Sequence, residues 1–490
     1  MADGYIADIG LEVHVELATR SKMFCSCAVV DPTTAPPNSS VCEVCSGMPG
    51  VLPVINKRAV ELAVRAALAL NCEIAETSIF ARKNYFYPDL PKGYQISQYE
   101  QPLAENGHLE ITASDVKKNI RVRRAHLEED TGKLTHVEKD GKSYSLVDLN
   151  RAGVPLLEIV SEPDMHSVED VRAYSRELRL LLRWLEVSSG DMEKGSMRFE
   201  ANVSMRPSGS SELGTRVEIK NLNSFKSMEQ AIEYQLAAQR AILEKGEKVR
   251  QETLGWIEAE NRTVPQRSKE EANDYRYFPE PDLPPLVIDK EWLEQIRAEM
   301  PELIAQKRKR YRKEFGLNSE DIERLLEEKE NALFFESCLE AATRLEANAV
   351  ANWILTDLYA WLNANSASVS GIKTSPGEFT ELIQLVEDGT INQNTGKEVL
   401  DEMLDTGRAP AGIIEEKGLK QISDGGQIAE MVRNTLDRNP DEVSSFIKGK
   451  ETVANWLFGQ VMKAAEGKAN PRLLKEELMK QLEKRRVNTA

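Results

Sequence analysis

The sequence predicts an α+β protein in three parts. A mixed N-terminal domain built on an antiparallel sheet with flanking helices occupies residues 1–292, an all-α helical domain residues 293–408, and a small all-α tail domain residues 409–490. Two observations carry this. Several N-terminal stretches alternate apolar and polar side chains with period two, the pattern of a half-buried strand. From about Lys290 onward that pattern gives way to helix-period spacing. A chain of 490 residues suits two or three domains and a large core.

The clearest strand is Ile9-Gly-Leu-Glu-Val-His-Val-Glu-Leu17. Leu11, Val13, Val15 and Leu17 fall on one side; Glu12, His14 and Glu16 fall on the other. Met197-Arg-Phe-Glu-Ala-Asn-Val-Ser-Met-Arg206 repeats the alternation, with Arg198, Glu200 and Asn202 on its polar side. Val217-Glu-Ile-Lys220 sets Glu218 and Lys220 together, and Val154–Val160 carries Glu158 between Leu157 and Ile159. An antiparallel sheet often packs one face and leaves the other open to water or ligand. If these strands are neighbours, the open face gathers Glu12, His14, Glu158, Glu200 and Glu218 beside Arg198 and Lys220. Each glutamate alone reads as solvated surface. Together they would repel one another unless protonated or bound to a cation, and oxygen ligands of this kind suit Mg²⁺.

Between the first two strands lies Cys25-Ser-Cys27, then a Pro/Thr/Ser-rich loop, then Cys42-Glu-Val-Cys45. Two close cysteine pairs across a loop fit a tetrahedral, structural Zn²⁺ site inserted at 25–45, although the first pair has one intervening residue where two are commoner. The alternative is four reduced thiols in a loop. Asn56 is placed to cap a helix that includes Ala59 to Leu70. Arg82-Lys-Asn-Tyr-Phe-Tyr-Pro-Asp-Leu-Pro-Lys-Gly-Tyr-Gln95 reads either as a folded surface loop or as a rigid aromatic loop. In the second case Lys83, Tyr85, Tyr87 and Lys92 could stack on a base and clamp phosphates.

Glu128, Glu129 and Asp130 end a further strand, and parity does not tell which of them joins the other acids. Asp148-Leu-Asn-Arg-Ala-Gly153 is a loop leading into the Glu158 strand. Ser167 caps an amphipathic helix to Leu185, and Ser227 to Glu247 is again helical in pattern. Pro207–Ser211 is hairpin-like, the proline-dense Asp274–Pro285 closes the mixed region, and Gly407–Gly412 looks like a linker.

The chain carries 63 basic and 80 acidic residues, so net charge does not signal a nucleic-acid partner. The excess is uneven: residues 411–490 hold 14 Lys+Arg against 12 Asp+Glu, with Lys463, Lys468, Arg472 and Lys475 gathered around Gly467. A patch on this tail would have to meet any polyanion. Met1-Ala-Asp-Gly-Tyr is neither basic nor apolar, which argues against a signal or transit peptide. No apolar run of about eighteen residues predicts a membrane span.

At several of these stretches the chain closely resembles the B-subunit family of the bacterial-type aspartyl/glutamyl-tRNA amidotransferases. They are Ile9–Leu17, Asn84-Tyr-Phe-Tyr-Pro-Asp, His126-Leu-Glu-Glu-Asp, Ser145-Leu-Val-Asp-Leu-Asn-Arg-Ala-Gly, Glu158-Ile-Val-Ser-Glu-Pro-Asp, Lys220-Asn-Leu-Asn-Ser-Phe and Asp274-Tyr-Arg-Tyr-Phe-Pro-Glu-Pro-Asp. The likeness runs essentially from end to end. It implies a cytoplasmic or organellar heterotrimer with an amidase A-subunit and a small C-subunit. The B-subunit would use ATP to phosphorylate the side-chain carboxylate of Glu on tRNA(Gln) or Asp on tRNA(Asn), and ammonia from the amidase would displace the phosphate. The resemblance also implies Mg²⁺ at Glu12, Glu129, Glu200 and Glu218, with His14 and Glu158 close by, and the zinc-binding version of the cysteine loop; on the residues themselves, Arg198 and Lys220 adjacent to this acidic face could help neutralise phosphate oxygens. The family often has Asp where Glu200 stands. No Gly-x4-Gly-Lys-Ser/Thr loop is present, so metal and side chains would have to hold the nucleotide. A tRNA-binding scaffold would explain the basic tail but not rows of glutamates; a metal-dependent hydrolase would explain the acids but not the tail.

Overall fold

The alternation at the N-terminus is that of a central strand. Tyr5–Glu16 lies in the middle of a nine-stranded sheet, with Ile9, Leu11, Val13 and Val15 fully buried. This computed structural model describes residues 4–266, 275–342, 344–421, 424–465 and 468–489, and it divides into the units Met1–Ile304 and Ala305–Ala490. Asp274 and Gly467 lie outside the described residues.

From one edge to the other, the sheet runs Arg262–Pro265, Glu252–Ile257, Val217–Leu222, Met197–Pro207, Tyr5–Glu16, Pro155–Ser161, Val116–Glu129, Ala104–Ala113 and Glu73–Ile74. Every pairing is antiparallel except that of Val217–Leu222 with Glu252–Ile257. One core joins the apolar side of these strands to the helices Lys57–Ala69, Val168–Trp184 and Phe225–Glu244. Their starts follow from side-chain caps. Asn56 accepts from Arg58 N and Ala59 N, and Ser167 accepts from Asp170 N. The third helix begins earlier than its apolar pattern suggests, because Ser224 accepts from Ser227 N and so caps Phe225–Glu244.

The second unit is built of helices from Ala305 on. Gln393–Thr406 ends on Gly407 in the left-handed region, and Pro410 opens Pro410–Glu416, whose Ile413 and Ile414 are buried. The stretch read as a linker is therefore a helix C-cap followed at once by a proline-started helix. Beyond it, the helices Gly425–Arg438, Pro440–Ile447, Val453–Ala464 and Pro471–Thr489 share a core that includes Val432, Phe446, Leu457, Val461 and Leu478.

Candidate active site

The register of the ladder turns the polar side of the sheet into rows. His14 stands opposite Glu158 on one neighbouring strand and Arg198 on the other, and Glu158 stands opposite His126 on the strand beyond. One row further along, Glu12 faces Glu200, while Asn202 faces Glu218. The pairing with Val217–Leu222 is irregular between Phe199 and Ala201, and Asn221 beside it adopts φ 65. There Lys220 Nζ meets both Glu200 and, at 3.0 Å, Glu218.

Two metal-competent clusters result. His14 Nε2 is 3.4 Å from both Glu128 Oε1 and Glu158 Oε2, and His126 Nε2 is 3.4 Å from Glu158 Oε2. Glu12, Glu200 and Glu218 offer oxygens within 4.8 Å of one another, as do the ligand atoms of His14, Glu128 and Glu158. Asn202 Nδ2 donates to Glu12 Oε1 at 2.8 Å, while its Oδ1 is buried without a partner.

Crowding of this kind moves proton affinities in directions set by each neighbour. Burial first, then Glu158 and Glu200, raise the Glu12 pKa. Burial opposes the charge on His14, but its hydrogen bond to Glu158 and the nearby Glu128 win and push it up to about 9. Burial raises Glu128, against the pull of His14. Burial works the same way on Glu158, yet the two histidines hold it well below the usual carboxylate range. For Lys83 burial is outweighed by Tyr277, Glu128 and Glu158, which raise it.

His14, Glu128 and Glu200 open on a cleft of about 310 Å³ that Lys83, Arg198 and Lys220 also line. The predicted aromatic loop contributes unevenly. Lys83 belongs to the short strand Ala81–Asn84, and Tyr85 forms part of the cleft wall. Tyr85 packs edge-on against Tyr275 at 6.0 Å, Tyr275 meets Tyr277, and Tyr277 stacks on Tyr99 at 4.1 Å, so a small aromatic cluster stands behind this part of the wall. Tyr87, by contrast, is exposed and does not line the cleft. Lys92 pairs with Glu129.

That last pair sets Glu129, expected among the Mg²⁺ ligands, apart from the two clusters. Glu129 is buried, its Oε1 accepts from Lys92 and from Ile96 N at 3.0 Å, and it is in neither cluster. Its neighbour Glu128 has the parity of His126 and so reaches His14 and Glu158. The sequence pattern by itself does not select His126, Glu128, Asp130, Asn202, Tyr275 or Tyr277 for the site. The signal for the first two is their shared parity, which becomes informative only once the strand is known to pair with Pro155–Ser161 in this register.

Apart from the cleft, Cys25, Cys27, Cys42 and Cys45 bring their sulfurs within 4.8 Å of one another and could hold a metal such as zinc. Cys42 Sγ and Cys45 Sγ are 3.9 Å apart. Tetrahedral zinc with bonds of about 2.3 Å spaces its sulfurs by about 3.8 Å, so the geometry fits. Cys45 Sγ accepts from Cys42 N at 3.2 Å and from the buried Lys22 Nζ at 3.5 Å. In the second unit Lys463, Arg472 and Lys475 are exposed and Lys468 is half-buried; Arg472 and Lys475 sit three apart on Pro471–Thr489. Among the described residues, no helix is long and apolar enough to cross a membrane.

Residues 7–294 match the GatB/GatE catalytic domain, and residues 333–482 match the GatB domain. The chain is 51% identical over 476 residues to a protein of Thermodesulfovibrio yellowstonii, covering 97% of this chain and 99% of that one. A protein of Persephonella marina is 50% identical, with 97% and 98% covered, and one of Geobacter sulfurreducens is 50% identical, with 98% and 99% covered. Each is named as the B-subunit of an aspartyl/glutamyl-tRNA(Asn/Gln) amidotransferase, one component of a multi-subunit enzyme.

Proposed function

The chain belongs to the GatB family, and on that premise we propose that it is the component that phosphorylates and then amidates mischarged aminoacyl-tRNA. The carrying observation is that two acid-rich clusters reach one cleft, the first through His14 and Glu128 and the second through Glu200, where Lys83, Arg198 and Lys220 also line the wall. Such a site has negative groups for a divalent cation and positive groups for phosphate oxygens.

The substrates are ATP and the side-chain carboxylate of Glu on tRNA(Gln) or Asp on tRNA(Asn). A carboxylate oxygen attacks the γ-phosphorus, the bond to ADP breaks, and an acyl-phosphate forms on the aminoacyl-tRNA. Phosphoryl transfer needs positioning and charge neutralisation more than covalent help. Lys83, Arg198 and Lys220 bind the phosphate oxygens, and Tyr85 offers its ring to the nucleotide. Ammonia then attacks the acyl carbon, inorganic phosphate leaves, and the nitrogen loses a proton to give the amide. The ammonia comes from glutamine, hydrolysed by an amidase partner (the A-subunit) in a heterotrimer completed by a small C-subunit.

Glu12, Glu200 and Glu218 would hold Mg²⁺, as their oxygens suit a hard divalent cation, and His14, Glu128 and Glu158 form a second candidate ligand set of one imidazole and two carboxylates. When bound, such an ion supplies neutralisation of phosphate charge. The four cysteines would hold a structural Zn²⁺. Residues 305–408 act as a helical domain, and residues 409–490 as a tail that meets tRNA through Lys463, Lys468, Arg472 and Lys475. The work is done in the cytoplasm or its organellar equivalent, where mischarged tRNA is made.

Single-turnover assays of the assembled complex with labelled ATP and each mischarged tRNA test this. Labelled acyl-phosphate should form only with a mischarged tRNA present. No transfer to Glu-tRNA(Gln) or to Asp-tRNA(Asn) would end the proposal.

A further inference from the structure

Asp130 is a buried carboxylate at the rim of the cleft, and both of its oxygens are committed. Oδ1 accepts from Thr131 N at 2.8 Å. Oδ2 accepts from Arg198 Nη2 at 2.8 Å and lies 3.4 Å from Arg151 Nε. Arg151 is itself fastened by donating to Thr131 O at 3.0 Å and Gly132 O at 2.8 Å. The Asp148–Gly153 loop thus holds Asp130 through Arg151, and Asp130 holds Arg198.

Arg198 stands opposite His14 in the central ladder and lines the cleft. Among the described residues its only hydrogen-bond acceptor is Asp130, so most of its five N–H donors remain uncommitted. A free arginine side chain samples many rotamers, and an acceptor that fixes one edge of the planar fork presents the remaining donors ready-oriented. Unlike Glu128, Asp130 is in neither metal-competent cluster.

We infer that Asp130 is a positioning residue, which fixes the Arg198 guanidinium to receive the phosphate oxygens of the nucleotide. The inference rests on the proposed function for the identity of that ligand. Its own readout is binding, separate from turnover.

The test is a double-mutant cycle in the assembled complex: Asp130→Asn, Arg198→Met and the pair, with affinity for a non-hydrolysable ATP analogue measured by equilibrium titration. Arg198→Met should weaken binding by about tenfold or more, and Asp130→Asn by nearly as much, as expected when one charge-assisted hydrogen bond is lost or misaligned. The double variant should bind no worse than Arg198→Met alone, because Asp130 acts only through Arg198. Asp130→Glu, which keeps the charge, should recover part of the loss. Co-purification with the amidase partner checks that each of the four folds and assembles. Independent, multiplying losses would make Asp130 a merely structural acid and overturn the inference. So would wild-type affinity in Asp130→Asn. If neither Asp130 variant folds, normal analogue affinity in Arg198→Met overturns it alone. A complex that binds the analogue with this non-additive pattern yet phosphorylates no tRNA would leave the inference standing and remove the proposed function.

Discussion

Glu128, Glu129 and Asp130 are consecutive acids with three different surroundings. Glu128 meets His14, Glu129 takes Lys92 and Ile96 N, and Asp130 takes Arg198. Substitutions that look alike should therefore behave differently. Glu12→Gln removes a charge that burial and its neighbours Glu158 and Glu200 disfavour, so in magnesium-free buffer it should raise the melting temperature. It should also lower tRNA phosphorylation by about 10² to 10⁴, the scale for losing charge neutralisation of a transferring phosphoryl group. Glu129→Gln breaks a buried pair and leaves Lys92 uncompensated, which should cost about 3 kcal/mol in denaturant titration. A stable, fully active Glu129→Gln would contradict this division of roles.

His14 gives a pH signature at the same scale. Its folded pKa is raised to about 9 from an ordinary 6.5, so the folded state binds the proton more tightly. That stabilisation is complete below pH 6.5 and is lost as pH rises through 9, at about 1.4 kcal/mol for each pH unit between the two values. In magnesium-free buffer, unfolding free energy should fall across this window in the wild type. It should fall distinctly less in His14→Gln. Equal slopes in the two proteins would show that His14 is not held charged by Glu158 and Glu128.

At the scale of elements, much was legible in the sequence. The period-two stretches around Glu12, Glu200, Glu218 and Glu158 are strands, and their apolar sides are the core, because alternation along one strand is a local property. Register is not local. That Glu12 faces Glu200, or that Glu128 rather than Glu129 reaches His14, depends on pairing partners more than a hundred residues away in one case and about thirty in the other. The irregularity beside Asn221, which lets Lys220 serve two acids, has no such periodic signal at all. Gly214, in the connection before Val217–Leu222, is a further hidden determinant. A Cβ there would lie 2.0 Å from Met205 O and 2.8 Å from Met205 C, both backbone atoms that cannot swing aside. Gly214→Ala should cost roughly 1–3 kcal/mol and weaken analogue binding by displacing Glu218 and Lys220. An unperturbed melting curve would contradict this close approach.

The cysteine loop also belongs to this scale, since Lys22 ties it to the loop that precedes the Glu158 strand. Its Nζ donates both to Cys45 Sγ and, at 3.1 Å, to Leu149 O. A Cys₄ zinc centre carries excess negative charge, and a buried lysine offsets it. Metal analysis should find about one zinc per chain, absent from Cys42→Ser. Lys22→Met should keep the zinc but release it to a chelator faster, on the order of 10-fold or more. A zinc-free wild type of ordinary stability would dismiss the metal reading.

For the whole molecule, a net charge of −17 has to be squared with the proposed polyanionic substrate. The acidic excess lies in the first 410 residues, while the last eighty carry a small positive balance. The segment Gly425–Thr489 closes its own core around Val432, Phe446, Leu457 and Leu478, so its removal does not empty that core into another part of the second unit. Lys463, Arg472 and Lys475 are exposed, although Arg472 already meets Glu476 at 3.2 Å and offers only part of its charge. Deleting residues 424–490 should therefore leave the cleft, ATP-analogue binding and glutamine hydrolysis by the amidase partner intact while weakening binding of tRNA. Because each engaged phosphate releases counterions, the slope of log affinity against log salt should also flatten, by roughly 0.9 or less for every phosphate no longer engaged. Charge reversal at Lys463 and Lys475 together should reproduce part of that flattening without any loss of fold. A truncated complex that binds tRNA with the same affinity and the same salt slope would mean the basic residues are solvated surface. The polyanion would then have to be met by the partner proteins or by a local patch on the acidic catalytic unit.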